Sequence, residues 1–164
     1  MSATNVVKDF RSQLVKPIVA ETPAIEILRR DIHAHPELGF EEQRTSDLIA
    51  RTLIEWGIPV HTGLGKTGVV GIVKSGSADR AVGLRADIDA LPMTEHNTFA
   101  HASVHPGKMH ACGHDGHTAM LLAAAKYLSG HRNFDGTVYL IFQPAEENGG
   151  GAGVRLKKSK GQKK

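Results

Sequence analysis

The sequence predicts an α/β protein with a mainly parallel central sheet flanked by helices. Three observations carry this reading. Helical apolar stripes come first, short apolar runs punctuated by glycine follow, and a further helix separates those runs from a last strand that is apolar on both faces. With 164 residues, 40% of them hydrophobic, the chain is long enough for one domain with a substantial core and too apolar to stay disordered.

Taken in order, Val7, Phe10, Leu14 and Ile18 recur at loosely helical spacing until Pro17 breaks the run. Thr22 before Pro23 has the form of an N-cap followed by proline at the first helical position, which predicts a second helix through Ile25, Ile27, Leu28 and Ile32, ended by His35-Pro36. Glu41 to Trp56 is the strongest helix: Leu48, Ile49, Leu53 and Trp56 form a stripe over a charged face, and Gly57 is its stop signal. Ile58 to Val60, Gly68 to Val73 and Ala81 to Leu84 then read as strands. The last two are expected to pair, because Ser75-Gly76-Ser77-Ala78-Asp79 between them is turn chemistry. Leu91 to Lys108 is a polar loop bearing histidines, Gly116 to Leu128 a helix, and Thr137 to Phe142 a strand apolar on both faces, hence central.

Charge argues against a nucleic-acid partner. Six of the basic residues (Arg155, Lys157, Lys158, Lys160, Lys163, Lys164) lie in the last ten positions, so a net charge of +3 less those six leaves residues 1 to 154 mildly acidic. A lysine tail gives only salt-sensitive, sequence-independent attraction to phosphates. No basic region leads into an apolar run of leader length, and no stretch approaches the span of a membrane, so the expected location is cytoplasmic with no membrane partner. A single cysteine cannot form an intramolecular disulfide and suits a reducing compartment.

That cysteine lies in His110-Ala111-Cys112-Gly113-His114-Asp115-Gly116. A lone cysteine is more often a small buried hydrophobe than a ligand. Here it stands between histidines in a loop that opens a helix, where backbone N–H groups and the helix dipole favour a thiolate. His114 gains in the same way, whereas His110 and His117 are candidates for substrate contacts or supporting hydrogen bonds. His61, His96, His101, His105 and His131 read as solvated, and His33 and His35 as ordinary helix-end caps. Glu146-Glu147 follows a buried strand and a proline, so adjacent carboxylates stand at one strand's C-terminal edge. One can hold a metal while the other moves a proton. Asp87 and Asp89 share one side of an extended segment. Two phosphate-loop lookalikes fail: the glycine that Gly65-Lys66-Thr67 would need five positions earlier is Val60, and Gly149 to Gly153 lacks a dinucleotide fingerprint.

Taken together, HAHPELGFEE (33 to 42), GLGKTGVVG (63 to 71), GLRADIDALPM (83 to 93), MHACGHDGHTAMLL (109 to 122) and FQPAEE (142 to 147) resemble the M20 metallopeptidases, in the amidohydrolase branch that acts on hippurate, N-acyl amino acids and auxin conjugates. The resemblance implies a cytosolic enzyme that hydrolyses the amide of a small N-acyl amino acid with two divalent ions, Zn, Mn or Ni. It implies Cys112, His114 and Glu147 as metal ligands and Glu146 as general base, with Asp87 and Asp89 supporting the site and the main role between them left open. Asn148 stands where the family has glycine. Residues 1 to 153 then read as the N-terminal part of a catalytic domain and 154 to 164 as a disordered basic tail. Two further histidine ligands are implied, yet no histidine follows His131. The alternative expectation is therefore a truncated, catalytically incompetent remnant, prone to oligomerise through an uncovered sheet edge. A basic-tailed binding module is the third reading.

Overall fold

Gly136–Gln143 (β4) organises the sheet, because its alternate side chains are apolar on both faces. The computed structural model describes residues 3 to 150, with side chains from residue 15 onward; the basic tail expected at 154 to 164, and the side chains of Val7, Phe10 and Leu14, lie outside the described residues. Val60–Leu64 (β1), Gly68–Ser75 (β2) and Ala81–Asp87 (β3) complete a four-stranded sheet in the order β1-β2-β4-β3.

Two expectations are corrected here. β2 and β3 do not pair: β4 lies between them, antiparallel to β2 and parallel to β3. The residues read as a tight turn instead carry the chain across the start of β4, where Asp135 Oδ1 accepts hydrogen bonds from the N–H groups of Ser77 (2.8 Å) and Ala78 (2.9 Å). The sheet is accordingly mixed rather than mainly parallel, since β1 and β2 form an antiparallel hairpin and only β3 with β4 is parallel. A strand with two apolar faces is stabilised most by neighbours on both edges, and that preference outweighs the local turn signal. The first strand also begins at Val60, later than expected. Ile58 is buried before it, its N–H bonded to the Leu53 carbonyl at 3.0 Å.

Helix α1 (Ala3–Ala34) is continuous through Pro17 and Pro23, where two helices were expected. Each proline removes one helical hydrogen bond. Val15, Ile18 and Val19 are exposed there. Further along, Ile25 and Leu28 pack against the core and Ile32 is fully buried, which holds the helix onto the body. Its end matches the expected cap: His35 Nδ1 donates to the Asp31 carbonyl at 2.7 Å.

Helix α2 (Gln43–Glu55) buries Ile49 and Leu53, and its free N-terminal N–H groups at Arg44 and Thr45 donate to the Glu37 carboxylate at 2.9 and 2.8 Å. Helix α3 (His114–Gly130) starts at Gly113, whose φ of +84° is the left-handed conformation that glycine enters freely. The core lies between the sheet and these two helices: Ile49 and Leu53, Leu122 and Ala125, and the inward residues Val69, Val73, Val138, Leu140 and Phe142. Register pairs Val69 with Phe142 and Val73 with Val138 on that face.

Leu140, central and fully buried, tests this core. Leu140→Ala is expected to cost about 2 to 5 kcal/mol in denaturant unfolding, whereas Met120→Ala, on the exposed side of α3, is expected to stay within about 0.5 kcal/mol of the parent.

Candidate metal centre

Because β3 and β4 run parallel, their C-terminal ends emerge side by side, the place where open α/β sheets gather their ligands. Asp87 closes β3, and the chain stays buried through Ile88, Asp89 and Ala90. β4 ends at Gln143 and runs into Pro144-Ala145-Glu146-Glu147. The N-terminus of α3 meets both.

His114 is the hub. Its Nδ1 lies 3.0 Å from the Asp89 carbonyl and 3.2 Å from Asp89 Oδ1. Both partners only accept, so Nδ1 carries the proton and Nε2 is left to face outward. Around Nε2 stand Asp87 Oδ2 at 3.5 Å, Glu147 Oε1 at 3.8 Å and Glu146 Oε2 at 4.0 Å. Burial opposes a charge on His114, yet the Asp89 hydrogen bond and the Asp87 and Asp89 charges outweigh it and raise its pKa above the usual histidine range. Asp89 shifts the other way. Burial alone would raise it, but the His114 bond and backbone N–H groups, including that of Glu147 at 3.0 Å, hold it below the ordinary carboxylate value.

Cys112 Sγ, a ring nitrogen of His114 and a carboxylate oxygen of Glu147 lie within 4.8 Å of one another. The electrostatic expectation for the thiol is corrected: hydrogen bonding to Glu147, with the charges of Glu147, Glu146 and Asp87, pushes the Cys112 pKa up rather than down. Nearby carboxylates outweigh the helix N-terminus because they carry full charges at short range. The donor set nevertheless fits a divalent ion. A thiolate, an imidazole and a carboxylate are Zn-type ligands, and Glu147 Oε1 is buried with no hydrogen-bond partner.

A second trio, Asp87, His114 and His117, also has donor atoms within 4.8 Å. It draws on the same histidine, and Asp87 is already engaged by His117 Nδ1 at 2.7 Å and by Arg85 Nη1 at 2.8 Å. His117 is thus a carboxylate partner, in line with the supporting role open to it from the sequence.

Sequence reasoning missed the ground beneath the site. His33 is not a helix-end cap: it is buried, with Nδ1 2.9 Å from Asp115 Oδ2 and Nε2 3.1 Å from Glu95 Oε1. Asp115 also receives Arg29 Nε at 3.1 Å. Glu95, in turn, accepts from the Ser103 N–H at 2.6 Å and pins the long loop before α3. His110 is buried with neither ring nitrogen bonded, and burial pushes its pKa down to about 4. His101 is half-buried and stacks on Phe99 at 4.2 Å, whereas His61, His96, His105 and His131 are exposed as expected. The only signal for His33 was its place inside the 33 to 42 motif, since its partners lie 62 and 82 residues away.

Comparison with known proteins shows which family the chain resembles. The model of peptidase family M20/M25/M40 matches residues 83 to 163. The hippurate hydrolase of Campylobacter jejuni is 50% identical over 139 residues, covering 85% of this chain and 36% of its own length. The N-acyl-L-amino acid amidohydrolase of Geobacillus stearothermophilus is 48% identical over 120 residues, covering 73% of this chain and 32% of its own. Among solved structures, the YXEP protein of Bacillus subtilis, a dinuclear metal binding peptidase from the M20 family, superposes with a TM-score of 0.75 at 44% identity, covering 78% of this chain and 36% of that one. The chain spans about a third of the length of the curated relatives it matches. Among the described residues, no helix is long and apolar enough to cross a membrane.

The loop anchor yields a pH test. Burial raises the Glu95 pKa, but the Ser103 N–H, Asn97 and His33 outweigh it and hold it below the unfolded value of 4.5. The unfolded chain therefore takes up this proton first. The stabilisation is complete above pH 4.5 and is lost as pH falls through the lower folded value. Glu95→Gln is expected to cost about 1 to 3 kcal/mol at pH 7. The deficit against the parent should shrink as both are melted at pH values below 4.5.

Proposed function

The chain belongs to peptidase family M20/M25/M40, and on that premise we propose that it carries the Cys112/His114/Glu147 part of a metal-dependent amidohydrolase site acting on N-acyl amino acids of the hippurate type. The observation that carries the reading is the convergence of those three donors within 4.8 Å, with the Glu146 carboxylate beside them. The relatives that hydrolyse hippurate and N-acyl amino acids support the substrate class, and the dinuclear Bacillus protein supports two metal ions; their proposed identity, Zn, Mn or Ni, rests on the family resemblance of the sequence motifs. Residues 1 to 153 are proposed to form the N-terminal part of a catalytic metallohydrolase domain, and the thiol donor suits a cytoplasmic setting.

When bound, a divalent ion polarises the amide carbonyl and acidifies a water. The chain's own residues do the rest. Cys112, His114 and Glu147 would hold the ion. Asp89 fixes the His114 tautomer through Nδ1, leaving Nε2 free to ligate. Glu146, more exposed than Glu147, takes a proton from the attacking water at its carboxylate and returns it to the departing amine. Asp87 stands against Nε2 and His117 as a supporting charge. The products are a carboxylate and a free amino acid.

Calorimetric titration of the 164-residue chain with Zn²⁺ is expected to give one weak binding event. Cys112→Ser is expected to weaken it by about tenfold or more, because sulfur is a strong zinc donor. An unchanged isotherm removes Cys112 from the site. Hydrolysis is read as glycine release from hippurate, and from other N-acyl amino acids, with Mn²⁺ or Zn²⁺ present. Metal-dependent release that Glu146→Ala abolishes, with Zn²⁺ affinity kept, supports the full reading. Zn²⁺ binding with no metal-dependent release is the other outcome, and it reduces the function of this chain to metal capture.

A further inference from the structure

Glu42 occupies the N-cap position of α2, is fully buried, and makes no capping bond to that helix. Its carboxylate is turned to two distant segments instead. Oε2 accepts from Thr67 Oγ1 at 2.6 Å, in the turn between β1 and β2, and Oε1 accepts from the Ala145 N–H at 2.8 Å, in the loop after β4. A buried carboxylate is tolerated only where donors meet it, and these come from 25 and 103 residues along the chain.

Ala145 is the point at which the chain leaves β4 for the acidic pair. Its φ is +51°, a left-handed conformation that residues with a Cβ avoid unless their surroundings impose it. The hairpin turn closes over the same spot. A Cβ on Gly68 would lie 3.1 Å from Pro144 Cδ and 2.4 Å from the Leu64 carbonyl oxygen, so only glycine lets these segments approach. Two residues on, the Glu147 N–H donates to Asp89 Oδ2 at 3.0 Å. Alternate N–H groups of one short loop are thus gripped by two buried carboxylates, each from a different segment.

We infer that Glu42 is a positioning residue for the metal centre: by holding the Ala145 N–H in its left-handed turn, it sets where the Glu146 and Glu147 carboxylates stand relative to Cys112 and His114. The inference rests on the reading above for the identity of the donors. Glu42 itself touches none of them.

The first test needs no metal. Amide hydrogen exchange, followed by NMR on the full chain, is expected to show Ala145 and Glu147 protected in the parent. In Glu42→Ala both are expected to exchange about tenfold faster or more, while Leu140 in β4 is unchanged. Glu42→Gln retains an oxygen for Ala145 and offers its NH₂ to Thr67 Oγ1, so protection is expected within about threefold of the parent. Fast exchange at Ala145 with unaltered protection at Glu147 overturns the inference. Should Glu42→Ala fail to fold, the same comparison is made on Glu42→Asp, which keeps the charge but is one methylene too short to span both donors.

The second test is Zn²⁺ titration. Glu42→Ala, or Glu42→Asp in its place, is expected to weaken binding by about ten- to a hundredfold, as loss of a supporting group does at metal sites, and Glu42→Gln to restore it. Parent-like affinity in a folded Glu42→Ala overturns the inference and leaves the donor assignment standing. A parent chain that binds no Zn²⁺ defeats the donor assignment, and the exchange experiment then decides the role of Glu42 by itself.

Discussion

Parallel pairing of β3 with β4 is the constraint on which the remainder of the molecule depends. Asp87 and Gln143 end their strands as register partners, and one further bond, from the Ile88 N–H to the Gln143 carbonyl at 3.1 Å, carries the alignment past the sheet. The Asp89 segment and the Glu146-Glu147 loop therefore leave the sheet together, although almost sixty residues of chain separate them. An antiparallel arrangement would have sent one of them to the far end. The parallel pair exists because β4 sits in the middle of the sheet, and β4 sits there because Val138, Leu140 and Phe142 are buried on one face while Tyr139 and Ile141 are half-buried on the other.

Charge is concentrated at that meeting point and is satisfied unequally. Asp89 is fully engaged, by His114 and by backbone, and Asp87 is paired with Arg85 and His117. Glu147 has a buried oxygen with no partner, and Glu146 faces outward. Carboxylates favour the protonated form of both neighbours: against burial, Asp89 and Asp87 raise the pKa of His114, and hydrogen bonding to Glu147 with the charges of Glu147, Glu146 and Asp87 raises that of Cys112. The same charges attract a dication. The two effects have one origin, and a metal ion among these groups would reverse the local preference by its own charge.

What was legible in the sequence follows the range of the interactions. Helix α2 was readable because its stripe and its glycine stop are local, and β4 because six consecutive residues with apolar character declare burial by themselves. The trio Cys112, His114 and Glu147 could be named only through the family resemblance, since the spacing alone leaves the roles of Glu146 and Glu147 open. The pairing of β2 with β3 was misread for the complementary reason. A turn signal between neighbours says nothing about a strand arriving sixty residues later to separate them. The prolines of α1 misled similarly, since local propensity suggests a break and packing of Ile25, Leu28 and Ile32 overrides it. His33 and Glu42 were invisible as functional supports, because each is defined by partners that only the fold supplies.

The motifs therefore divide by task. Of the five, only 109 to 122 and 142 to 147 contribute the three donors that converge. The 33 to 42 motif contributes Glu37, which receives the first N–H groups of α2, and Glu42, which holds the Ala145 turn. The 63 to 71 motif contributes Thr67 to the same carboxylate and a glycine that admits Pro144. The 83 to 93 motif contributes Asp89, which orients His114 and holds the Glu147 N–H. A metal ligand must be held to within a fraction of an ångström to keep its geometry. A carboxylate on a loop after a left-handed turn has no such precision of its own. It acquires it from buried acids on other segments, so the residues that never touch the donors are as much a part of the site as the donors are.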